Sequence, residues 1–258
     1  MKGGVFLGEW IIGKNPVLES LKGRREIHKI WVAEGSQKSA RPVIRLAKEN
    51  NVPVQIVPKN KLDEMTEGNH QGIVAQAAAY RYYEPDDLLE EAKKRGELPF
   101  LLLLDEIEDP RNLGSIMRTA DAAGVHGVII PKRRSAGLTE TVAKASAGAI
   151  EYVRVARVTN LARTIDQLKE KGIWIAGMDA EGETDYRLFD GKMPVALVIG
   201  NEGRGLGRLI KEKCDFLLRL PMAGHVSSLN ASVAAGIMMY EIFRKRSPGV
   251  AEDGMAHR

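Results

Sequence analysis

The chain has 258 residues, of which 44% are hydrophobic and 28% charged, and this composition is ordinary for a globular protein. No apolar run reaches the roughly 20 residues that a membrane-spanning helix requires, so we expect no membrane segment. The net charge of +4 permits a polyanionic partner without requiring one. The first residues lack a signal-peptide pattern, and the single cysteine, Cys214, fits a reducing compartment, so we expect a cytoplasmic protein.

The first eighty residues alternate between short helical and short extended patterns. The predicted helices are 14–22, 41–51 and 59–65, and the predicted strands are 29–34, 52–58 and 72–80. This alternation predicts a small α/β domain over residues 1–83. The basic cluster at 22–25 suits a surface that binds nucleic acid. Residues 84–99 are mostly polar, and we interpret them as an interdomain linker with an amphipathic helix.

From Phe100 onward the pattern changes in scale. Six short runs are apolar on both faces, as expected for parallel strands covered by helices: LLLLDEI, VHGVIIP, EYVRVARV, GIWIAGMD, PVALVIG and DFLLRLP. Helical patterns lie between them, near 112–123, 138–149, 160–171 and 206–213. The alternation predicts a doubly wound parallel α/β domain over residues 100–247. We expect the tail, residues 248–258, to be disordered.

In sheets of this kind, ligands lie beyond the carboxyl ends of the strands, so the loops there are the candidate site. The first of these segments, DEIEDPRNLGSIMRTADAAG, turns at Asp109 and continues into a helix that Asn112 could cap. Ile116, Met117, Ala120 and Ala123 are predicted to face the core, and Gly124 to end the helix. Arg118 then points away from the core. A lone arginine on a helix is usually only solvated, but this one follows an active-site type of loop.

The second segment, GNEGRGLG at 200–207, is rich in glycine and lets the backbone approach a ligand closely. It matches neither the dinucleotide-binding nor the phosphate-loop pattern, which disfavours a nucleotide-dependent oxidoreductase. Glu202 suits a ligand with a cationic or hydroxyl-bearing part. The histidines lack metal-ligand spacing, so we expect no metal.

The third segment, PMAGHVSSLNASVAAGIMMYEIF at 221–243, carries small residues where a core helix would have large ones. Ser228, Ser232 and Gly236 recur at four-residue spacing and form a narrow stripe. Tight helix packing explains the stripe, and so does packing combined with a ligand at the helix start. Ser227, Ser228 and Asn230 would bring polar groups to that start. Composition alone leaves both readings open.

Taken together, the motifs DPRNLGSIMRTADAAG, IGNEGRGL and LPMAGHVSSLNASVAAGI resemble, in content and order, those of the SpoU/TrmH family of RNA ribose 2′-O-methyltransferases. The segments IIGKNPVLESL and GNHQGIVAQ resemble the ribosomal-protein-like RNA-binding domain of its ribosomal branch. The nearest likeness is to the enzymes that methylate a guanosine ribose in bacterial 23S ribosomal RNA. The likeness covers nearly the whole chain.

This resemblance implies a deep trefoil knot in the second domain, although knots are rare in proteins generally. It also implies S-adenosylmethionine as the methyl donor, large-subunit ribosomal RNA as the partner and a homodimer. The start of the last helix would line the cofactor site, and small residues further along would let two protomers pack closely. Carried over by position, the cofactor contacts are Gly200, Leu220 and Leu229. The residues of the reaction centre are Asn112, Arg118, Glu202, Ser228 and Asn230.

Three alternatives stay open at this point. A transfer RNA could be the substrate, because the motifs describe the chemistry and not the target. A non-catalytic RNA-binding protein could share the fold, although the five polar residues argue against it. Arg118, the family's proposed base, could act instead as an electrostatic clamp, because arginine is effectively always protonated.

Overall fold

The computed structural model describes residues 9–23, 25–66, 69–226 and 228–247. Ser227 and the tail, 248–258, for which we predict polar contacts and disorder respectively, lie outside the described residues. The strands are β1 (Glu9–Ile12), β2 (Ile27–Ala33), β3 (Val54–Val57), β4 (Ile73–Ala77), β5 (Phe100–Leu104), β6 (Gly127–Pro131), β7 (Val155–Val158), β8 (Trp174–Met178), β9 (Thr184–Asp185), β10 (Val195–Ile199) and β11 (Phe216–Arg219). The helices are α1 (Lys14–Lys22), α2 (Arg41–Glu49), α3 (Lys59–Met65), α4 (Pro85–Arg95), α5 (Pro110–Ala122), α6 (Glu140–Ala145), α7 (Leu161–Glu170), α8 (Arg208–Lys213) and α9 (Ala231–Arg246).

The chain forms two compact units, and the first contains residues up to Arg81 together with Gly137–Tyr152. Its sheet has the strand order β1-β4-β2-β3, in which only the β2–β3 pair is parallel. Val17 of α1, Val43 of α2 and Ile30 of β2 are fully buried in its core. The three helices and three strands predicted in this region are present, and β1 is an additional edge strand. Helices α1 and α3 have the predicted bounds, whereas α2 and the three strands have shifted ends.

The segment Gly137–Tyr152, which the sequence places in the second domain, packs in the first unit instead. Ser20 donates a 2.7 Å hydrogen bond to Glu151, and the Tyr152 hydroxyl lies 3.1 Å from a Glu19 oxygen. The predicted helix over 138–149 is shorter than expected, because α6 ends at Ala145 and left-handed backbone follows at Gly148. Distant side chains in α1 therefore decide where this segment belongs.

The second unit contains Tyr82–Ala136 and the chain from Val153 onward. Its seven-stranded sheet has the order β7-β6-β5-β10-β8-β11-β9, and every pair in it is parallel, as the sequence predicts. Leu101, Leu103 and Val198 are fully buried in its core. From β5 the chain moves outward through β6 and β7, and the later strands lie on the other side. The direction of winding therefore reverses between β5 and β10, which is where doubly wound sheets bind ligands.

Residues 84–99 are not the interdomain linker that their polarity suggests, because α4 is part of the second unit. A capping box between Glu84 and Asp87 begins α4, and Gly96 ends it in the left-handed conformation. Leu88 and Ala92, one turn apart on a single face, are fully buried. One narrow apolar stripe is enough to anchor a helix whose other faces are charged. Among the described residues, no helix is long and apolar enough to cross a membrane.

Candidate active site

Helix α5 follows the carboxyl end of β5 and carries the first motif. Both elements belong to the second unit. Its cap is Asp109, which accepts a 2.8 Å hydrogen bond from the Arg111 backbone N–H, so the prediction that Asn112 caps the helix is wrong. Asn112 lies in the first turn and is buried. The four apolar positions predicted for the core are buried, and Arg118 is exposed on the opposite side, as predicted.

Asn112 meets residues from both other motifs, although 90 and 118 positions separate them in sequence. Its side-chain nitrogen donates a 2.8 Å hydrogen bond to Glu202 Oε1, and its oxygen accepts a 3.0 Å bond from Asn230. The Asn230 nitrogen also donates to Glu202 Oε1. One carboxylate oxygen therefore ties together α5, the loop after β10 and the start of α9. We call Asn112, Glu202 and Asn230 the polar triad.

The polar triad lies at the amino end of α9. Asn230 caps this helix by accepting hydrogen bonds of 2.9 Å from Ser232 N and 3.3 Å from Val233 N. The backbone N–H of Ala231 donates to Glu202 Oε1 at 3.2 Å. A carboxylate is stabilised at this position because the unpaired N–H groups and the helix dipole favour negative charge.

The small residues of α9 face α5 within the same unit. Ala231 and Ala235 are buried there, and a Cβ added at Gly236 would lie 3.8 Å from the Thr119 methyl group. Close packing of two helices thus explains much of the stripe, and the polar helix start explains the rest. The packing reading of the third motif is confirmed within the protomer, and a ligand at the helix start stays a prediction. Of the large apolar residues of α9, Met238, Met239 and Ile242 are fully buried as well. A second set is left exposed: Val233, Ile237, Tyr240 and Phe243.

Beside the polar triad is a cleft of about 430 Å³, formed by the loops after β8, β10 and β11 and by the start of α9. Gly200, Leu220 and Leu229, the residues predicted to contact the cofactor, all line it, and Glu202 and Ser228 line it too. Its volume lies within the roughly 300–1,000 Å³ range of small-molecule sites. The structure therefore brings the second and third motifs together around one cavity.

The end of β8 and the loop after it, which the strand-end rule includes in the candidate site, contribute the lining residues Met178–Glu181, none of which is predicted individually. Asp179 Oδ2 lies 3.0 Å from Lys211 Nζ, which also lines the cleft. Position at the carboxyl end of a strand is the only sequence signal for this loop, because it has neither a glycine-rich pattern nor a motif. Asp105, after β5, accepts a 2.8 Å hydrogen bond from Gly207 N, and burial raises the pKa of its carboxyl group.

Arg118 is the one predicted residue of the reaction centre that stands apart. It is exposed on α5, and no hydrogen bond or ion pair joins its side chain to the rest of the described chain. Ser228 lines the cleft without a hydrogen bond to the polar triad within the same described ranges. A free guanidinium two turns from Asn112 can still reach a large ligand bound over the cleft.

Gly200 is required by the shape of its loop. A Cβ at this position would lie 2.3 Å from the Gly205 carbonyl carbon and 2.6 Å from Leu206 N, both backbone atoms that cannot rotate away. We expect Gly200→Ala to lower cofactor affinity at least tenfold, and to destabilise the protein by about 1–3 kcal/mol through overpacking. Isothermal titration and thermal unfolding measure the two effects. Gly203→Ala is the matched control, because a Cβ there would have only one neighbour, at 3.6 Å. Equal cofactor affinity for Gly200→Ala and wild type would contradict the assignment.

A larger cavity of about 870 Å³ lies elsewhere in the second unit, around Phe100, His126 and the carboxyl end of α9. It faces the amino end of β5, whereas ligands of parallel sheets bind at the carboxyl ends. Three of the cations that line it have partners within the protein: Arg246 donates to the carbonyl oxygens of Leu98 and Gly191, Lys245 to that of Arg187, and Arg244 to Glu241. The smaller cleft is therefore the candidate site.

Within the described ranges, no group of three or more His, Cys, Asp or Glu side chains could hold a metal ion.

Comparison with known proteins adds the following. The profile of the SpoU rRNA methylase family matches residues 99–240, and that of the RNA 2′-O ribose methyltransferase substrate-binding domain matches residues 10–83. A Bacillus subtilis protein, YacO, provisionally named a TrmH family tRNA/rRNA methyltransferase, is 62% identical, over 93% of this chain and 97% of its own. A Staphylococcus haemolyticus protein with the same provisional name is 54% identical, over 92% of this chain and 95% of its own. The structure of the SpoU methyltransferase AviRb from Streptomyces viridochromogenes, in complex with AdoMet, superimposes with a TM-score of 0.79 at 26% identity, over 93% of this chain and 90% of that one.

Proposed function

Because this chain belongs to the SpoU methylase family and is an S-adenosylmethionine-dependent RNA methyltransferase, we propose that it methylates the ribose 2′-hydroxyl of a guanosine in 23S ribosomal RNA. The observation that carries this proposal is the meeting of the polar triad with the cleft that Gly200, Leu220 and Leu229 line. A pure RNA binder has no use for such a cleft. The ribosomal target rests on the resemblance of the first 83 residues to a ribosomal-protein-like domain.

The cleft fits the cofactor in size and in chemistry. Apolar side chains of Leu220, Met222 and Leu229 offer a surface for the adenosine, and the glycine-rich loop offers backbone groups. When bound, S-adenosylmethionine supplies a methyl group activated by a sulfonium sulfur. The protein must then align the ribose oxygen with that methyl group and accept or stabilise the charge left when the hydroxyl proton departs.

We assign these tasks to the reaction-centre residues as follows. The polar triad holds the three motifs in one arrangement, and its partly exposed carboxylate faces the open side of the cleft. Ser228 is available to hydrogen-bond a ribose hydroxyl. Arg118, which is free and exposed, either accepts the proton or binds the phosphate next to the target ribose. We also propose that the second unit contains the deep trefoil knot implied by the resemblance, with the loops after β10 and β11 at its centre.

The proposal is tested by incubating the protein with labelled cofactor and separately with ribosomal and transfer RNA, and then mapping the modified nucleotide. We expect label on one guanosine ribose of 23S ribosomal RNA. Label on transfer RNA alone would replace the substrate and keep the chemistry. Absence of label on either RNA, with cofactor bound, would refute the function. The cytoplasmic location stays a prediction.

We propose that the first unit supplies RNA affinity and target choice. Helix α2 presents an exposed basic stripe of Arg41, Arg45 and Lys48, one turn apart. Simple removal of residues 1–83 would strip the partners from Gly137–Tyr152, so substitution is the better test. We expect the triple change to Gln to weaken RNA binding about tenfold or more at low salt, without changing cofactor affinity. The same change at Lys93, Lys94 and Arg95 of α4 is the control for net charge, and equal losses in both would contradict the proposal.

We propose that the protein is a homodimer that pairs through α9. Val233, Ile237, Tyr240 and Phe243 form an exposed stripe along this helix, with side chains 37–49% accessible, opposite the face that packs on α5. Tyr240 and Phe243 contact each other edge to face, with ring centroids 5.9 Å apart. A helix that is apolar on both faces is expected to be covered on both.

The dimer has its own prediction. Ile237→Glu buries an unpaired charge in the interface, and we expect it to yield monomers at micromolar concentration by sedimentation. Leu209→Glu is the matched control. Leu209 is also an exposed aliphatic residue, 55% accessible, but it lies on α8 and not on α9. A monomeric wild type with full activity would refute the dimer.

A further inference from the structure

Glu106, in the loop after β5, contacts two other loops at the same edge of the sheet as the cleft. Its Oε1 accepts a 2.8 Å hydrogen bond from Arg134, which follows β6, and its Oε2 lies 3.7 Å from Arg204, which follows β10. Its backbone oxygen accepts a 3.0 Å bond from the Asn201 side chain. β6, β5 and β10 are adjacent strands, so one residue connects three neighbouring loops.

The backbone at this point is held in an unfavourable conformation. Glu106 has φ +58° and Arg134 has φ +55°, in the left-handed region that side chains with a Cβ rarely adopt. Such a conformation is strained, and it persists only where the surroundings impose it. Here Ala136 N donates a 2.8 Å hydrogen bond to Ile107 O, which joins the loops after β5 and β6. The two residues with this backbone conformation are also the two whose side chains hydrogen-bond each other.

Stability does not account for the arrangement. The side chains of Arg134 and Arg204 are 69% and 80% accessible, and ion pairs as exposed as these contribute little to stability. Lys132 and Arg133 beside them are exposed as well, and they add cations to the loop after β6. Glu108, exposed in the loop after β5, is a further carboxylate that acts on Arg134 electrostatically. Arg134 uses one donor on the Glu106 carboxylate, and Arg204 is held near it by charge, at 3.7 Å, without a hydrogen bond. Planar forks with open donors are the side chains best suited to phosphate.

We propose that Glu106 is a positioning residue that holds Arg134 and Arg204 as a clamp for the phosphates of the RNA strand that carries the target ribose. The inference rests on the proposed function and names the part of the site that receives the substrate backbone. Arg134 and Arg204 bind phosphate directly, and Glu106 acts only through them. Without its carboxylate, the two long side chains would sample many rotamers and would have to be ordered at each binding event.

Glu106→Gln tests the clamp because positioning and long-range electrostatics predict opposite changes in RNA binding. The change removes one negative charge from the RNA-binding rim, so long-range electrostatics alone predicts tighter RNA binding and unimpaired turnover. Positioning predicts a loss, and we expect kcat/KM for purified 23S ribosomal RNA to fall about tenfold, mainly through KM, with cofactor affinity and thermal stability unchanged. Glu212→Gln on α8, also an exposed carboxylate beside an arginine, is the control and should leave kcat/KM near the wild-type value.

The arginines are tested by the salt dependence of binding. Arg134→Ala and Arg204→Ala should each weaken RNA binding and reduce the slope of log affinity against log salt by about 0.7–0.9, the loss of one phosphate contact. Arg208→Ala on α8, whose side chain is 92% accessible, should change the slope by much less. Unchanged slopes for both clamp variants, tighter RNA binding by Glu106→Gln, or loss of cofactor affinity in Glu106→Gln would each overturn the inference. These binding measurements are separate from the test of the proposed function, which depends on whether the wild-type protein methylates 23S ribosomal RNA, transfer RNA or neither.

Discussion

Arg118→Ala is expected to fold and bind S-adenosylmethionine while losing most methyl transfer. The side chain is exposed, and truncation of an exposed residue typically changes stability by only about half a kcal/mol. The cofactor residues lie on other elements, so cofactor affinity should be unchanged. Alanine can neither accept a proton nor offset negative charge on the ribose oxygen, and groups with either role are worth about 100-fold or more. Single-turnover methyl transfer with saturating RNA measures the loss.

A matched control and a conservative variant sharpen this prediction. Arg163→Ala on α7 removes the same charge from an exposed helix position and should retain near wild-type turnover. Arg118→Lys separates the two roles, because lysine has a pKa near 10.4 and arginine one above 12. As a base, the lysine variant should gain about tenfold in rate per pH unit up to roughly pH 9, as the deprotonated fraction rises. As a clamp, it should show no such gain, because it lacks the planar fork. Near wild-type turnover in Arg118→Ala would refute the active-site assignment.

Glu202→Ala is expected to lower methyl transfer by about 100-fold, close to the effect of removing a catalytic donor or acceptor. The substitution leaves three donors without their shared acceptor, namely the side chains of Asn112 and Asn230 and the Ala231 backbone N–H. The three motifs then no longer share a hydrogen-bond acceptor. Stability should fall by only about 1 kcal/mol, because the network is reached by water.

Glu202→Gln and Glu212→Ala complete this experiment. Gln keeps an acceptor oxygen where the donors converge and loses only the charge, so a purely positioning role predicts that much of the activity returns. A role for the charge itself predicts that it does not. Glu212→Ala on α8 should have little effect, because its carboxylate is exposed and lies 3.6 Å from one arginine. Full activity in Glu202→Ala would show that the polar triad is not part of the reaction centre.

Much of the second unit could be predicted because its signals are local. Apolar runs such as FLLLL and VALVI are buried on both faces and became β5 and β10. The phase of α5 placed Ile116 inside and Arg118 outside, as its spacing predicts. Segment boundaries were less reliable. Leu88 is fully buried in a helix that polarity alone assigns to a linker. Ser20 donates a hydrogen bond to Glu151 although 131 residues separate the two in sequence.

The sequence by itself determined which loops gather around the cleft, because the polar and glycine-rich residues follow directly on apolar strands. It also determined the family, because three long motifs in one order are specific. Only the tertiary structure decided that Asn112, Glu202 and Asn230 share one carboxylate oxygen, and that Glu106 lies between Arg134 and Arg204. Strand pairing across the sheet brings those loops together, and the order in which strands pair depends on contacts between distant parts of the chain. The periodicity of a sequence shows which residues share one face of a helix or strand. It does not show which other element packs against that face, because that depends on the topology of the whole fold.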